Sequence, residues 1–174
     1  MKNKKYYYPP KFENLPGTGI DETFTDIEYA AIQDEIDENL QLIDLSKDIY
    51  KIIIAGSRTF FDYDLLKKEC NNFIQHCVDN LDNPYFEIIS GNARGADKLG
   101  EKYAKEYNYS CSVKPANWNK YGKRAGYLRN ADMAQEADAL IAFWDGKSRG
   151  TNHMIELAKQ ANLNVKVILY KDPL

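Results

Sequence analysis

Residues 50–58 read YKIIIAGSR, in which an uninterrupted apolar run leads into a turn that contains glycine. The run Ile52–Ile54 shows no alternation of apolar and polar residues, and residues 140–143, which read LIAF, show none either. A strand is apolar at consecutive positions when both of its faces are covered, as in a parallel sheet between two layers of helices. These two segments therefore predict central strands of an α/β sheet.

Shorter apolar segments and helical patterns alternate through the rest of the chain. The pattern predicts five strands, at Tyr50–Ala55, Phe86–Ser90, Ser110–Val113, Ala139–Trp144 and Val165–Tyr170. Between them it predicts four helices, near Tyr63–Asn80, Ala96–Asn108, Ala125–Glu136 and Thr151–Ala161. This alternation is typical of parallel strands joined by right-handed crossovers. The predicted fold class is α/β, a Rossmann-like three-layer sandwich with a mainly parallel five-stranded sheet.

The composition is that of an ordinary globular protein, with 44% hydrophobic and 28% charged residues in a chain of 174. No apolar run is long enough to cross a membrane, and the N-terminal lysines are not followed by the apolar stretch of a secretory signal. We therefore expect a cytoplasmic protein. The cysteines and the two histidines lack the spacing of metal ligands, so we expect neither a metal site nor a cofactor.

The net charge of −3 is divided unevenly along the chain. Residues 1–45 carry 4 Lys against 10 Asp and Glu, a net charge of −6, and the remaining residues carry +3. Within the acidic segment, a capping box at Thr25–Glu28 opens an apolar stripe of helical spacing that ends at Ile43. We predict an N-terminal arm and acidic amphipathic helix at 1–45, followed by the α/β domain at 46–174.

Turns that contain glycine follow three of the predicted strands, at residues 56–58, 90–97 and 145–151. In an open parallel sheet, ligands bind beyond the carboxyl ends of the strands, where backbone N–H groups and helix N-termini favour an anion. All five arginines lie in these turns or in residues 121–130, and a guanidinium can bind phosphate bidentately. The sequence therefore predicts a site for a phosphate-bearing ligand.

Three aromatic residues flank the predicted site: Trp118, Tyr121 and Trp144. Each is able to stack on a base, although aromatic residues at strand ends and loop starts more often serve as packing anchors. Trp144 stands directly before the turn that begins at Asp145, so it is the best of the three candidates for stacking.

Four motifs occur in order along the α/β part of the chain: GSRTF at 56–60, SGNARGADKLGEKYA at 90–104, WNKYGKRAGYLRNADMA at 118–134 and ADALIAFWDGKSRGTNHMI at 137–155. Together they resemble the YspA-type branch of the SLOG superfamily, which also contains the DprA-like and LOG-like proteins. The resemblance extends from about Lys51 to Tyr170. It implies a Rossmann-like domain that binds nucleotides or nucleotide-derived signals, often ligands of the ADP-ribose type.

The turns and the resemblance together give a set of expected ligand-binding residues. Arg129, with Met133 four positions later, resembles the R-x-x-x-M sequence of the LOG enzymes, in which the arginine serves the nucleotide site. Catalytic residues stay unassigned. The expected ligand-binding residues are Gly56, Ser57, Arg58, Ser90, Gly91, Arg94, Gly95, Asp97, Arg129, Trp144, Asp145, Arg149, Gly150 and Thr151.

The chain departs from the LOG enzymes at one important position. Those enzymes cleave the base–ribose bond of a nucleotide with a glutamate two residues after a Gly-Thr pair, and here that position holds His153. A histidine does not supply the negative charge that stabilises an oxocarbenium-like transition state. We therefore expect ligand binding, either to sense a signal or to sequester it as an anti-defence sponge. The alternatives are a LOG-type nucleotide N-glycosidase or phosphoribohydrolase and a protein-interaction module with a vestigial pocket.

The expected partners are a nucleotide-derived small molecule and a second copy of the chain, with no membrane involved. DprA relatives bind single-stranded DNA, but a domain charge of +3 beside a segment of −6 is small for a phosphate polymer, so we do not expect nucleic acid. Relatives commonly dimerise, and the apolar stripe from Tyr29 to Ile43 suits either a homo-oligomer interface or packing on the edge of the chain's own sheet.

Overall fold

The computed structural model describes residues 49–81 and 84–171, so the predicted acidic segment at 1–45 lies outside the described residues. Its strands are β1 Ile49–Gly56, β2 Tyr85–Ser90, β3 Ser110–Val113, β4 Ala139–Trp144 and β5 Asn164–Leu169. Its helices are α1 Tyr63–Asn80, α2 Ala96–Glu106, α3 Trp118–Tyr121, α4 Ala125–Glu136 and α5 Arg149–Gln160, with a 3-10 turn at Gly122–Arg124 between α3 and α4. Within these two ranges, no helix combines the length and the apolar character needed to span a membrane.

All five strands are parallel and lie in the order β3-β2-β1-β4-β5. In the central strand β1, Ile53 is in register with Ile89 of β2 on one side and with Leu140 of β4 on the other. The chain builds outward from β1 to β3 and then returns to place β4 on the opposite side of β1. The direction of strand succession therefore reverses between β1 and β4, and a crevice opens at such a point beyond the carboxyl ends of the strands.

The isoleucine run of β1 is completely buried, as its lack of alternation predicts. Ile52 and Ile54 pack with α1 and α2 on one face of the sheet, and Ile53 packs with Met133 of α4 and Met154 of α5 on the other face. Burial of each isoleucine side chain contributes about 1.5–3 kcal/mol to folding. The sheet is thus the middle layer of a three-layer sandwich, and the predicted Rossmann-like fold class is confirmed.

The observed bounds of β1, β2 and β5 differ from the predicted ones by one residue at one or both ends, and those of α2 and α5 differ by up to two residues. Helix α5 begins at Arg149 rather than at Thr151, because the Ser148 hydroxyl accepts a hydrogen bond from the backbone N–H of Thr151 and so caps the helix. Helix α2 ends at Glu106 rather than at Asn108, whose φ of 56° lies in the left-handed region. The short helix α3 was not predicted.

Candidate functional site

A cavity of about 450 Å³ opens at the carboxyl ends of β1 and β4, where the direction of strand succession reverses. Four segments contribute to its lining: residues 55–59 after β1, Ala93 and Asp97 at the start of α2, residues from 118 to 133 in α3 and α4, and residues from 145 to 154 in the turn after β4 and in α5. Its volume is in the range of sites for small molecules. The topology thus places the cavity where the sequence predicts a ligand.

Two hydrogen bonds join the turn after β1 to the end of β4. The Ser57 backbone N–H donates to the Phe143 carbonyl oxygen at 2.9 Å, and the buried Ser57 hydroxyl accepts from the Asp145 N–H at 3.2 Å. Gly56 is required for this approach, because a Cβ at that position would lie 2.8 Å from the Ala96 Cβ and still closer to the Phe143 carbonyl oxygen. The two strand ends therefore form one rigid wall of the cavity.

The turn after β4 leads directly into the first turn of α5. Asp145 Oδ1 accepts hydrogen bonds from the N–H groups of Lys147 at 2.9 Å and of Ser148 at 2.7 Å. Partial burial opposes ionisation, but these hydrogen bonds outweigh it and hold the pKa of Asp145 below its usual range, so the group is a carboxylate at neutral pH. Gly150 and Thr151 line the cavity, which places the N-terminal turn of a 12-residue helix in its wall.

A largely buried ion pair joins α2 to α4 at the base of the cavity. Arg129 Nη1 lies 3.9 Å from Asp97 Oδ2 and donates a hydrogen bond to the Gly91 carbonyl oxygen, while Arg129 Nε donates to Asn130 Oδ1 at 3.0 Å. Asp97 Oδ2 also accepts from the Ala93 N–H at 3.3 Å. A Cβ on residue 91 would lie 2.7 Å from Asp97 Oδ2 and would clash with the guanidinium, so this position needs glycine.

The burial of this pair changes its titration. Burial raises the pKa of Asp97 to about 6, although the Arg129 charge opposes the shift. Burial also lowers the pKa of the Arg129 guanidinium; Asp97 opposes that shift, and the positive charge of Arg58 adds to it. Arg58 and Arg129 thus bring two guanidinium groups to the lining of one cavity. Such an arrangement favours an anion between or beside them.

The lining carries more positive than negative side chains, namely Arg58, Lys123 and Arg129 against Asp97 and Asp145. Asp97 forms its ion pair with Arg129, whereas Arg58 and Lys123 form none with any residue in the two ranges that the structure covers. The side chains of the lining therefore carry one more positive than negative charge, and two of the positive groups form no ion pair with a described residue. An excess of positive charge in a cavity favours an anionic ligand.

Comparison with known proteins matches the same part of the chain to one family. The family model YAcAr, described as the YspA, cpYpsA-related SLOG family, matches residues 50–121. The Gene 61 protein of Mycobacterium phage D29 is 32% identical to the chain over 126 residues, a span that covers 66% of this chain and 93% of the phage protein. The chain belongs to the YspA, cpYpsA-related SLOG family. The resemblance read from the motifs is confirmed, and the domain is a nucleotide-related Rossmann-like domain.

The SLOG domain brings together more than half of the residues expected to bind ligand. Those that line the cavity are Gly56, Ser57, Arg58, Asp97, Arg129, Asp145, Gly150 and Thr151. The other expected residues lie outside this lining: Ser90, Gly91, Arg94, Gly95, Trp144 and Arg149.

Several of the residues outside the lining shape the turns of the SLOG domain. The buried Ser90 hydroxyl donates to Glu101 Oε1 at 2.8 Å and accepts from the Asn92 N–H at 3.1 Å, so it holds the loop after β2. Gly95 adopts a φ of 80° at the start of α2. Trp144 Nε1 donates to the Ser148 carbonyl oxygen at 3.1 Å and so braces the turn after β4.

The two remaining arginines of the expected set are exposed. Arg94 lies in the loop between β2 and α2, and Arg149 lies at the start of α5. Arg149 lines a second, shallow depression that it shares with Trp144 and His153.

The sequence reasoning missed most of the cavity lining that residues 118–133 contribute, in α3, α4 and the 3-10 turn between them. Lys123, Tyr127 and Asn130 all line the cavity, although none was among the expected site residues. Asn130 Nδ2 donates to the Gly150 carbonyl oxygen at 3.2 Å and so ties α4 to the start of α5. The clustering of arginines in residues 121–130 indicated that this segment contributes to the site. It did not identify Lys123, Tyr127 or Asn130 as lining residues.

His153 stands at the position of the LOG glutamate but does not line the cavity of this SLOG domain. Its ring packs edge-on against Tyr127, with 4.6 Å between the ring centroids, and its Nδ1 lies 3.4 Å from Asn130 Nδ2. Burial lowers the pKa of His153, so the imidazole is neutral at pH 7. The described residues also contain no cluster of His, Cys, Asp or Glu that could hold a metal ion.

Proposed function

We propose that this SLOG domain binds a nucleotide or nucleotide-derived small molecule, such as ADP-ribose, in the cavity between the ends of β1 and β4. One observation carries the proposal: the N-terminal turn of α5 lines the same cavity as the guanidinium of Arg58, which forms no ion pair with any described residue. A helix N-terminus supplies backbone N–H donors and a favourable dipole, and arginine supplies a charge with two parallel donors. Together they suit the phosphate group of a ligand.

The immediate surroundings of Gly150 support this placement of the phosphate. Gly150 is exposed, and apart from its chain neighbours and the backbone of its own helix no described atom lies within 4 Å of the point where a Cβ would stand, so an anion has room to approach the backbone there. The ionised carboxylate of Asp145 lines the cavity as well and is suited to accept a hydrogen bond from a ribose hydroxyl.

The chemistry of the lining favours binding over hydrolysis. Of its two carboxylates, Asp97 is paired with Arg129, and Asp145 is engaged by the N–H groups of its own turn. The neutral His153 lies outside the lining and supplies no negative charge for an oxocarbenium-like transition state. We propose that the bound molecule is either sensed or sequestered, the latter as an anti-defence sponge would do.

The proposal is tested by calorimetric titration of the wild type, Arg58→Ala and Arg124→Ala with AMP and with ADP-ribose. Arg124 is a matched control, because it is exposed in the 3-10 turn and does not line the cavity. Loss of one charge-assisted contact costs about 1.5–3 kcal/mol, so Arg58→Ala should weaken binding roughly 10- to 100-fold, whereas Arg124→Ala should bind as the wild type does. Equal affinities in the two variants would contradict the proposed site.

The same samples distinguish binding from catalysis. Each nucleotide is incubated with the protein and then separated by chromatography. We expect the nucleotide to be recovered intact. Release of free base in amounts above one equivalent per protein molecule would show that the domain is a hydrolase and would overturn the binding proposal.

A further inference from the structure

Two large aromatic side chains at the cavity are about half exposed. Trp118 of α3 is 51% exposed and Tyr127 of α4 is 46% exposed, and both line the cavity that also contains Arg58 and the start of α5. Large apolar side chains are normally buried, and an exposed group of them commonly marks a place where another molecule binds.

The indole of Trp118 is held in place on one side. Helix α3 is capped by Asn117, whose side-chain oxygen accepts from the Lys120 N–H at 3.0 Å. The indole then packs close to α4 at Gly126, where a Cβ would lie 3.3 Å from Trp118 Cη2. Glycine at this position leaves room for the indole to lie close to the helix. The ring is therefore supported by α4, while half of its surface is free.

Tyr127 is likewise supported on one side. Its ring contacts the His153 imidazole with an interplanar angle of 83° and 4.6 Å between the ring centroids. Burial keeps that imidazole neutral, so the contact brings no positive charge to the tyrosine. Nearly half of the Tyr127 side chain is free as well. The cavity thus contains two aromatic side chains, one from α3 and one from α4. It also contains the guanidinium groups of Arg58, after β1, and of Arg129, in α4.

We infer that Trp118 and Tyr127 form the binding site for the nucleobase, so that the ligand is an aromatic nucleoside phosphate rather than a sugar phosphate. The inference rests on the proposed function, because it assumes that the phosphate binds at Arg58 and at the start of α5. A nucleobase has a flat π-face that stacks on indole and phenol rings, and this contact adds affinity without selecting one base strictly. Trp118 contributes more of the stacking contact than Tyr127 does, because its ring is larger and more exposed.

The test compares AMP with ribose 5-phosphate, which has the same phosphate and sugar but no base. Calorimetry of the wild type should show AMP binding at least 10-fold more tightly than ribose 5-phosphate. Trp118→Ala should reduce the affinity for AMP about 10-fold and leave that for ribose 5-phosphate unchanged, and Trp118→Phe should restore most of the loss. Tyr121→Ala is the matched control, because Tyr121 is 42% exposed on the same short helix but does not line the cavity.

Fluorescence gives a second readout that does not depend on the stability of the alanine variant. The chain has two tryptophans, Trp118 and Trp144, and Trp144 lies outside the cavity lining. AMP should quench the emission of the wild type and of Trp144→Phe, and it should leave the emission of Trp118→Phe unchanged. Equal affinities of the wild type for AMP and ribose 5-phosphate would overturn the inference while the phosphate site stands. Failure of both ligands to bind would overturn the inference together with the proposed function.

Discussion

At the scale of single residues, the Asp97–Arg129 pair is the most consequential contact of the site. It links the start of α2 to α4, and its two charges are largely removed from water. Breaking a buried pair by removal of one partner leaves an uncompensated buried charge, which costs about 3–5 kcal/mol. Arg129→Ala would thus weaken both the fold and the site, and for this reason the exposed Arg58 is the better residue for testing ligand binding.

The titration of Asp97 leads to a prediction about pH. Its pKa is raised from 3.8 to about 6 in the folded protein, so its contribution to stability is present below pH 3.8 and is lost as the pH rises through 6. Asp97→Asn keeps an oxygen to accept from the Ala93 N–H and removes this titration. The free energy of unfolding of Asp97→Asn minus that of the wild type should therefore increase between pH 4 and about 6.5, as measured by urea denaturation.

A matched control for this experiment is Asp132→Asn, which removes an exposed carboxylate from α4. The same difference for Asp132→Asn measures the effect of removing a carboxylate outside the ion pair, and it is subtracted from the difference for Asp97→Asn. A difference for Asp97→Asn that falls with pH would mean that the attraction of Arg129 outweighs burial, and it would reverse the sign assigned to the pKa shift of Asp97.

At the scale of elements, the short helix α3 contributes Trp118 to the lining of the cavity. It consists of four residues, Trp118–Tyr121, and its N-terminus depends on the side chain of Asn117. Loss of an Asn cap costs about 0.5–2 kcal/mol of stability. Asn117→Ala should lower the free energy of unfolding by about that amount, as urea denaturation would measure. Because the cap positions Trp118, the variant should also bind AMP more weakly than the wild type does.

A second variant that removes a helix cap, this time outside the site, separates the effect on stability from the effect on the affinity for AMP. Asp62 caps α1 by accepting from the Leu65 N–H at 2.9 Å, and neither residue lines the cavity. Asp62→Ala should therefore reduce stability without changing the affinity for AMP. If Asn117→Ala also left the affinity for AMP unchanged, α3 would not position the ligand.

The same elements show how much of the structure could be predicted from the sequence. The bounds of β3, β4, α1 and α4 were predicted correctly, since each is long or apolar enough to show its periodicity or is bounded by turn residues. Helix α3 has a single turn and no period to detect, so it was missed. The lining residues after β1 and β4 were predicted from glycine and arginine, and Arg129 of α4 was predicted from the resemblance to the LOG enzymes. The other lining residues of α4 depend on tertiary packing that no local pattern encodes.

At the scale of the whole molecule, the strand order explains the position of the cavity. Strand–helix alternation predicts a parallel sheet, but it does not specify which strands are neighbours. The observed order β3-β2-β1-β4-β5 places the turns after β1 and β4 side by side and creates the crevice between them. The acidic segment at 1–45 lies outside the described residues. The helix predicted there and the homo-oligomer expected from its apolar stripe stay predictions.

The central claim is that the SLOG domain holds a phosphate-bearing nucleotide at Arg58 and the first turn of α5. The most direct measurement is mass spectrometry of the small molecules released when the purified protein is denatured, with Arg58→Ala prepared in parallel. We predict that the wild type releases a species containing both a phosphate and a nucleobase, and that its yield from Arg58→Ala is at least 10-fold lower. A released ligand without phosphate, or equal yields from the two proteins, would contradict the claim.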